Sequence, residues 1–411
     1  MKGEPSSSNG RGEALYALSF LGAQLAFMPL LVLLLPRRVL SISHGHSLAA
    51  LSGLLVLGGV VASLAHIAAG AIGDFWVARH GSRRAVIAAG LAGLLGAYGL
   101  LAHAGSIMAL AVAVVCFQLT LNLMFAPLGA LMTDYVPDGR KGRVAGWLNA
   151  GLPLSGLMVT VIAQLAPTDT DASFFMLAAL VAGLVLPLLL FWPFGDVASA
   201  TPPESSNKIW KMPRLDRRDL LYAWVARLLM QMGALLLVNY LYLYVANLKQ
   251  SLRFPEVPDP TWAVGLLSLV ASGTAILGAV AAGHGSDANG RRRWPMAMAA
   301  LVAALALMSL ARPSSWSFLL LAYGAFQAAL TAYLAIDAAL VAQLVGNHPG
   351  RGTYLGFMNL TNTLPAIISP MLALATVARV PDSAPLSHML LVCSAASGAA
   401  AILVVRIRTL R

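Results

Sequence analysis

The chain has 411 residues, of which 59% are hydrophobic and only 10% are charged. A soluble globular protein carries about 25% charged residues, so a soluble domain of this length would lack the polar side chains that cover a core. The net charge of +11 could suggest nucleic-acid binding, but in so apolar a chain it more simply marks the loops on one side of a membrane. The composition therefore predicts an all-α membrane protein in a lipid bilayer and excludes a nucleic acid as partner.

Apolar runs of about 20 residues, the length of a helix that crosses a bilayer, recur along the whole chain. Charged residues, prolines and glycines separate them into twelve predicted transmembrane spans. No cleavable signal pattern precedes the first run, so it is predicted to be a mature span. The twelve predicted spans are 14–36, 46–73, 85–104, 106–133, 143–166, 172–194, 219–247, 261–283, 294–312, 315–345, 352–377 and 387–407.

The lysines and arginines of the predicted loops indicate the orientation. Loops on the side of the N terminus carry 20 of the 27 basic residues, loops on the other side carry 6, and Arg227 lies within a span. Cytoplasmic loops of membrane proteins carry such an excess. The distribution predicts that both termini are cytoplasmic. As a separate expectation, we assign the protein to the inner membrane of a bacterium.

The longest polar insert divides the predicted spans into two sets of six. We expect two bundles joined by a cytoplasmic linker, with a short polar tail at each end of the chain. The predicted boundaries are a tail at 1–13, an N-terminal bundle at 14–194, the linker at 195–218, a C-terminal bundle at 219–407 and a tail at 408–411.

The two halves carry similar loops. Gly73-Asp74 precedes Arg83-Arg84 after span two, and Ser286-Asp287 precedes Arg291 to Arg293 after span eight. Equivalent loops in two halves indicate a parallel duplication, an architecture that places a substrate site near the midplane between the halves.

These features resemble the major facilitator superfamily of transporters. Asp74 is followed by Gly81 seven residues later, and the run Asp134-Tyr-Val-Pro137 precedes Arg140-Lys-Gly-Arg143. Both patterns, together with Asp337 to Gln343 and the later Asn362-Thr-Leu-Pro365, are similar to the sucrose and glycoside–pentoside–hexuronide:cation symporter branches. The resemblance implies two pseudo-symmetric six-helix bundles and secondary active transport by alternating access.

Loop carboxylates and arginines form the predicted gate. A carboxylate where a helix meets the headgroups can pair with an arginine or cap a neighbouring helix, and such contacts form in one conformation and break in the other. The arginines could instead serve only as anchors on the positive side of the membrane. The predicted gating residues are Asp74, Arg83, Arg84, Asp134, Asp287, Arg291 and Arg292.

Two full charges lie well inside predicted spans, Arg227 in span seven and Asp337 in span ten. Each is eight residues from the cytoplasmic end of its span, which is a depth of about 12 Å at 1.5 Å per residue. A charge at such depth is costly and usually functional. The two residues are therefore predicted to pair, either as a coupling site in which protonation of Asp337 releases Arg227 or substrate, or as a structural ion pair.

Amides and one tyrosine inside the spans are predicted to bind substrate. Amides next to aromatic rings suit a neutral hydroxylated ligand, although hydrogen bonding between helices is the alternative for each residue. His66 is interpreted as a histidine that bonds between helices, and Tyr240, Tyr242 and Tyr244 as aromatics of the membrane interface. The predicted substrate-binding residues are Gln24, Gln118, Asn122, Asn149, Gln231, Tyr333, Asn359 and Asn362.

The sequence lacks a Walker loop, a zinc-protease motif and a nucleophile elbow, and its two cysteines, Cys116 and Cys393, provide no metal site. We expect a monomeric transporter without enzymatic activity, cofactor or metal. The favoured function is proton-coupled uptake of a small polar solute such as a sugar or glycoside. Protons are favoured because spans one to six hold no deep carboxylate, in contrast to the sodium-coupled members of the symporter branches that the chain resembles. The alternatives are an exporter of drugs or metabolites, and a non-transporting factor of the light-harvesting-assembly type.

Overall fold

The computed structural model describes residues 10–43, 45–149, 151–166, 170–194, 217–250, 256–289, 292–345, 351–377 and 385–407. The regular structure of these residues is entirely helical. The helices are α1 (Gly10–Pro29), a π-helical segment (Leu30–Leu34), α2 (Leu35–Ile42), α3 (Ser47–His80), α4 (Arg84–His103), α5 (Ile107–Tyr135), α6 (Asp138–Asn149), α7 (Gly151–Leu165), α8 (Thr170–Leu190), α9 (Arg217–Gln250), α10 (Pro260–Asn289), α11 (Arg293–Ala311), α12 (Trp316–Val345), α13 (Arg351–Val377) and α14 (Pro385–Val405).

Eleven helical segments within the described residues are long and apolar enough to cross a bilayer. They correspond to predicted spans one to four and six to twelve. Predicted span five, 143–166, is covered by α6 and α7, and residue 150 between them lies outside the described residues. The apolar helical stretch there, Leu154–Leu165, is shorter than the others. The structure is thus that of a multi-pass membrane protein, and the twelfth span stays a prediction.

Several helices extend beyond their predicted spans. The helix α3 continues to His80 instead of ending at 73, and α10 continues to Asn289 instead of 283. Hydropathy marks only the apolar part of a helix, whereas its backbone hydrogen bonds continue into polar sequence. The end of α3 is set by Gly81, which has a left-handed φ of 72° and donates its N–H to the carbonyl of Val77 at 2.8 Å.

The first predicted span is interrupted by the π-helical segment Leu30–Leu34, which ends two residues before Pro36. A proline lacks an N–H donor, and its ring clashes with the carbonyl four residues earlier. The wider π turn relieves this conflict, and the N–H of Leu35 donates to the carbonyl of Leu30 five residues back. A helix therefore continues as α2 past the predicted end of the span.

The contacts of the described residues divide the chain into two compact units, Met1–Gly45 with Leu57–Asn207 and His46–Val56 with Lys208–Arg411. The division departs from the predicted one at the beginning of α3. There Ser52, which has no exposed surface, lies in a buried hydrogen bond of 2.7 Å with the hydroxyl of Tyr240 on α9. This contact helps to explain why His46–Val56 groups with the later helices.

Close helix packing holds each unit together. In the first unit the hydroxyl of Tyr98 on α4 donates to the carbonyl of Ala26 on α1 at 2.6 Å. In the second unit α10 meets α12 at Gly278, where an added Cβ would lie 2.3 Å from the carbonyl oxygen of Ala328. A side chain at position 278 would therefore force the two backbones apart.

The interpretation of three tyrosines as interface aromatics is wrong. Tyr240, Tyr242 and Tyr244 are only 2%, 6% and 5% exposed. Tyr244 donates its hydroxyl hydrogen to the carbonyl of Leu310 at the end of α11, and Tyr240 contacts Ser52. A buried tyrosine needs a hydrogen-bond partner, and Tyr240 and Tyr244 find theirs inside the second unit.

Candidate functional site

Arg227 on α9 and Asp337 on α12 form an ion pair inside the second unit, which we call the charge pair. Arg227 Nη1 donates to Asp337 Oδ2 at 2.7 Å, and the two side chains are 19% and 0% exposed. The sequence prediction that these charges meet is confirmed. A carboxylate removed from water is stable only when it is paired or protonated, so the charge of Asp337 depends on Arg227.

Two amide side chains connect the charge pair to the surface of the unit. Arg227 Nη2 donates to Asn362 Oδ1 at 3.2 Å, and Gln231 Nε2 donates to the same oxygen at 2.9 Å. Asn362 is exposed and Gln231 is partly exposed. A displacement of Arg227 would therefore change the hydrogen bonds of accessible amides.

The interior side of the charge pair holds polar atoms without partners. Asp337 Oδ1 and the hydroxyl of Tyr333 are buried and have no hydrogen-bond partner among the described residues. Tyr333 has no exposed surface, so this predicted substrate-binding residue is buried, one helical turn from Asp337 on α12. A buried acceptor without a hydrogen-bond partner is energetically costly. A proton bound at Oδ1 of Asp337 would remove this cost.

A second polar group lies in the first unit, near the middle of α3 and α5. His66 Nδ1 lies 3.0 Å from Asn122 Oδ1, and Asn122 Nδ2 donates to the carbonyl of Gln118 at 2.8 Å. An amide oxygen only accepts, so Nδ1 of His66 carries a hydrogen, and in the neutral tautomer Nε2 is the acceptor. Asn122 is 8% exposed, whereas His66 is exposed and Gln118 is partly exposed.

Three phenylalanines adjoin this group and form what we call the aromatic cluster, Phe20, Phe27 and Phe125. The ring of Phe125 lies 5.2 Å from that of Phe20 and 6.4 Å from that of Phe27, centre to centre. The imidazole of His66 lies 6.5 Å from the ring of Phe125. All three phenylalanines are partly exposed. The first unit thus combines aromatic faces with accessible polar atoms.

Gln24 has a structural hydrogen bond. Its amide nitrogen donates to the carbonyl of Leu148 on α6 at 3.1 Å, and its side chain packs against Gly151. It is only 5% exposed. This contact fastens α1 to α6 and α7, which agrees with the alternative interpretation of hydrogen bonding between helices.

Three of the predicted gating residues meet at the end of α3. Arg83 Nη2 donates to Asp74 Oδ1 at 2.8 Å, and Arg83 Nε donates to Asp134 Oδ2 at 2.6 Å. Burial lowers the pKa of Arg83, but hydrogen bonds and attraction from Asp134 and Asp74 outweigh it and raise the pKa above its ordinary value. Asp134 is 17% exposed and Asp74 is 73% exposed, so Asp134 provides the more shielded contact.

Two further predicted gating residues, Arg84 and Arg292, lie at the beginnings of α4 and α11. Arg84 is exposed, and its backbone N–H donates to the hydroxyl of Ser82. Arg292 is partly exposed directly before α11. Arg291 and the side chains of Asn149, Asp287 and Asn359 lie outside the described residues.

Glu13 is a buried carboxylate that the sequence did not predict. The predicted N-terminal tail, 1–13, includes Glu13, but α1 begins at Gly10 and the Glu13 side chain has no exposed surface. Its two oxygens contact Arg140 Nη1 at 2.9 Å and Arg143 Nη2 at 2.5 Å. The spacing of three between these arginines, which places both on one face of a helix, was the available signal.

Solved transporter structures share this fold. A bacterial homologue of the human lysosomal transporter Spinster, in an inward-facing and unoccupied conformation, is 14% identical with a TM-score of 0.66, and the match covers 98% of this chain and 96% of that chain. A mutant of the nucleoside transporter NupG is 14% identical with a TM-score of 0.70, covering 96% and 99%. The peptide transporter POT, in a mutant form with alafosfalin, is 13% identical with a TM-score of 0.72, covering 99% and 95%.

At these identities the likeness shows the fold alone, and the family is shown by the sequence itself. No curated protein sequence matches the chain. The sequence pattern of the Major Facilitator Superfamily, however, matches residues 14–370, which is most of its length. With its apolar helices and transporter-like fold, the chain is a membrane transporter rather than an enzyme, and it belongs to the Major Facilitator Superfamily.

Proposed function

We propose that the chain is a proton-coupled secondary active transporter that takes up a small polar solute, a sugar or glycoside, by alternating access. It would act as a monomer in the inner membrane of a bacterium, with twelve spans and both termini in the cytoplasm. The observation that carries the proposal is the charge pair, a fully buried carboxylate whose one paired oxygen contacts Arg227 at 2.7 Å. Charges inside a span are costly and are kept where they move ions or protons.

The proposed coupling step is an exchange of partners at Asp337. A proton that binds the carboxylate removes its charge, and with it the attraction that holds Arg227 Nη1. Arg227 also donates to Asn362, which is shared with Gln231, so its release rearranges both amides. Loss of the proton restores the pair. Because the amides are accessible, this rearrangement links the protonation of Asp337 to the residues proposed to bind the solute hydroxyls.

The group formed by Arg83, Asp74 and Asp134 is proposed to act as a gate. It lies at the end of α3, where ion pairs hold α3, α4 and α5 together through Asp74 and Asp134. Such contacts stabilise one conformation over another by their difference in free energy between the two. The loop patterns that resemble the sucrose and glycoside–pentoside–hexuronide:cation symporters support this role and the proposed solute class.

Flux measurements on purified protein in proteoliposomes test the proposal. The assay would follow labelled hexoses, pentoses and their methyl glycosides with an inward proton gradient, with a matched sodium gradient, and with no gradient. We expect accumulation that depends on the proton gradient and that is abolished by Asp337→Asn. Counterflow exchange, which needs no net proton movement, should survive in that variant. Arg312→Gln is the matched control because Arg312 is exposed directly after α11 and is not one of the predicted site residues.

Three outcomes would contradict the proposal. Solute accumulation driven by a sodium gradient alone would refute proton coupling. Undiminished accumulation in Asp337→Asn would show that the charge pair has only a structural role. Absence of flux for every solute, in protein that remains folded, would favour the light-harvesting-assembly type of function.

Export is the second candidate, and one observation favours it. The aromatic cluster of Phe20, Phe27 and Phe125 is partly exposed, and exporters of drugs commonly bind their substrates against aromatic side chains. The same liposomes decide the direction. Solute accumulation only with an outward proton gradient, in which protons leave the liposomes as the solute enters, would identify a proton antiporter. Antiport of this kind is the arrangement of an exporter.

A further inference from the structure

We propose that the aromatic cluster and His66 bind a flat aromatic or heteroaromatic ring of the transported solute, so that the substrate is a glycoside with an aromatic substituent. This inference rests on the proposed transport of a sugar or glycoside and names the chemical class within it. It concerns side chains of the first unit only: the rings of Phe20, Phe27 and Phe125, the imidazole of His66 and the amide of Gln118.

The position of these side chains agrees with a binding face near the middle of the bilayer. His66 lies near the middle of α3, and Phe125 near the middle of α5. On α3, a Cβ added at Gly58 would lie 3.5 Å from the amide nitrogen of Gln118, and one added at Gly73 would lie 3.3 Å from the ring of Pro127. Both glycines are seven or eight residues from His66, about two helical turns, so His66 lies on the side of α3 that is turned toward α5.

Polar atoms on this face argue against simple contact with lipid. His66 is exposed and Gln118 is partly exposed, although both lie in apolar spans. In hydrocarbon these groups would be unsatisfied, and polar side chains within spans therefore almost always face the protein interior or water. An accessible imidazole and amide next to partly exposed phenylalanines thus point to a compartment that holds water or solute.

The arrangement of the rings fits an aromatic partner. Phe20 and Phe125 are tilted by 36° at 5.2 Å, whereas Phe27 and Phe125 are perpendicular at 6.4 Å. A further ring can join such a cluster by offset or edge-to-face contacts, which are the favoured geometries of aromatic pairs. Phe20 and Phe27 both extend from α1, seven residues apart and therefore on one face of the helix.

His66 adds a directional contact. Nδ1 of His66 donates its hydrogen to Asn122 Oδ1 at 3.0 Å, and this contact fixes the orientation of the ring. In the neutral tautomer, Nε2 is then the acceptor. The site therefore favours a ring that carries an O–H or N–H donor. The three phenylalanine rings offer no hydrogen bonds to the hydroxyl groups around the edge of a sugar, so we assign the ring of the substituent, and not the sugar, to the aromatic cluster.

Matched ligands test the inference. The probes are phenyl, cyclohexyl and methyl glycosides of the common hexoses and pentoses, with affinity measured by titration calorimetry on the full-length protein in detergent. For a sugar that is bound, the phenyl glycoside should bind about 3- to 10-fold more tightly than its cyclohexyl counterpart, because stacking adds to burial of equal apolar area. A hydroxyl on the phenyl ring should add a further factor of about 2 to 10.

Conservative variants locate the effect. Phe125→Leu should reduce the preference for phenyl over cyclohexyl to within about 2-fold, and His66→Phe should remove the gain from the ring hydroxyl. The matched control is Phe175→Leu, which replaces a phenylalanine that is 48% exposed on α8 and should leave both preferences unchanged. Phe20→Leu is a second variant of the cluster in case Phe125→Leu is poorly folded.

The outcomes separate this inference from the transport proposal. Equal affinity for phenyl and cyclohexyl glycosides, with methyl glycosides still exchanged in liposomes, would overturn the ring site and leave transport standing. A phenyl preference that survives both Phe125→Leu and Phe20→Leu would also overturn it. If no glycoside of any sugar is bound or exchanged, both the proposed solute class and the proposed binding site for an aromatic ring are refuted.

Discussion

Replacing Asp337 by asparagine should destabilise the protein, and the structure indicates by how much. The substitution keeps the shape of the side chain but leaves Arg227, which is 19% exposed, without its charge partner. Two unit charges about 4 Å apart attract by about 4 kcal/mol at an effective dielectric constant of 20. Removing one partner of a buried pair costs about 3–5 kcal/mol. Since Arg227 keeps Asn362 as an acceptor, we expect a loss of about 3 kcal/mol, at the lower end of that range.

Removing both charges should be less harmful than removing one. Adding Arg227→Gln to Asp337→Asn eliminates the unpaired cation, and we expect about 2 kcal/mol of the loss to be recovered. Reversible unfolding in mixed micelles, followed by helical circular dichroism, measures the free energy of unfolding for the two single variants and the double variant. Arg84→Gln, at an exposed position, should change it by less than about 0.5 kcal/mol. Strict additivity of the two single effects would refute the coupling between the residues.

Three further predictions concern the gate, the helix packing and the topology. Asp74→Asn should slow transport more than it weakens solute binding and should cost less than about 1 kcal/mol of stability, because Asp74 is 73% exposed; lost binding at an unchanged rate would contradict the gating role. Gly278→Ala should lower the melting temperature well below that of Gly273→Ala on the same helix, since only the former Cβ meets a backbone atom, and equal melting curves would refute this packing argument. Cysteine labels at Ser205 and Asp382 should react from opposite sides of the membrane, and labelling of both from one side would refute the predicted spans between them.

Sequence reasoning predicted the helices because the bilayer imposes a strict length and polarity on each of them. The same constraint revealed Arg227 and Asp337, since a charge in an apolar run is conspicuous. The helix ends were less predictable. The continuation of α3 to His80 depends on where Gly81 adopts a positive φ, and the hydropathy of the run does not contain that information.

Contacts between distant segments account for the residues that the sequence did not predict. Glu13 lies in a polar stretch, and its burial depends on Arg140 and Arg143, more than 120 residues later. The tyrosines of α9 look like interface aromatics because the sequence shows their spacing but not their partners. Tyr240 is buried against Ser52, 188 residues earlier, and no local pattern marks that contact.

The polar side chains within span four of the first unit and the corresponding span ten of the second unit differ. This difference suggests that the two units have different roles. On α12 the buried carboxyl group of Asp337 is paired with Arg227, whereas on α5 the buried amide of Asn122 is bonded to His66. A charge pair responds to a proton or a cation, but an amide and an imidazole beside aromatic rings mainly select the shape and hydrogen bonds of a solute. Variants around Phe125 should therefore change which solute is transported at constant coupling, and variants of Asp337 should change coupling with the choice of solute preserved.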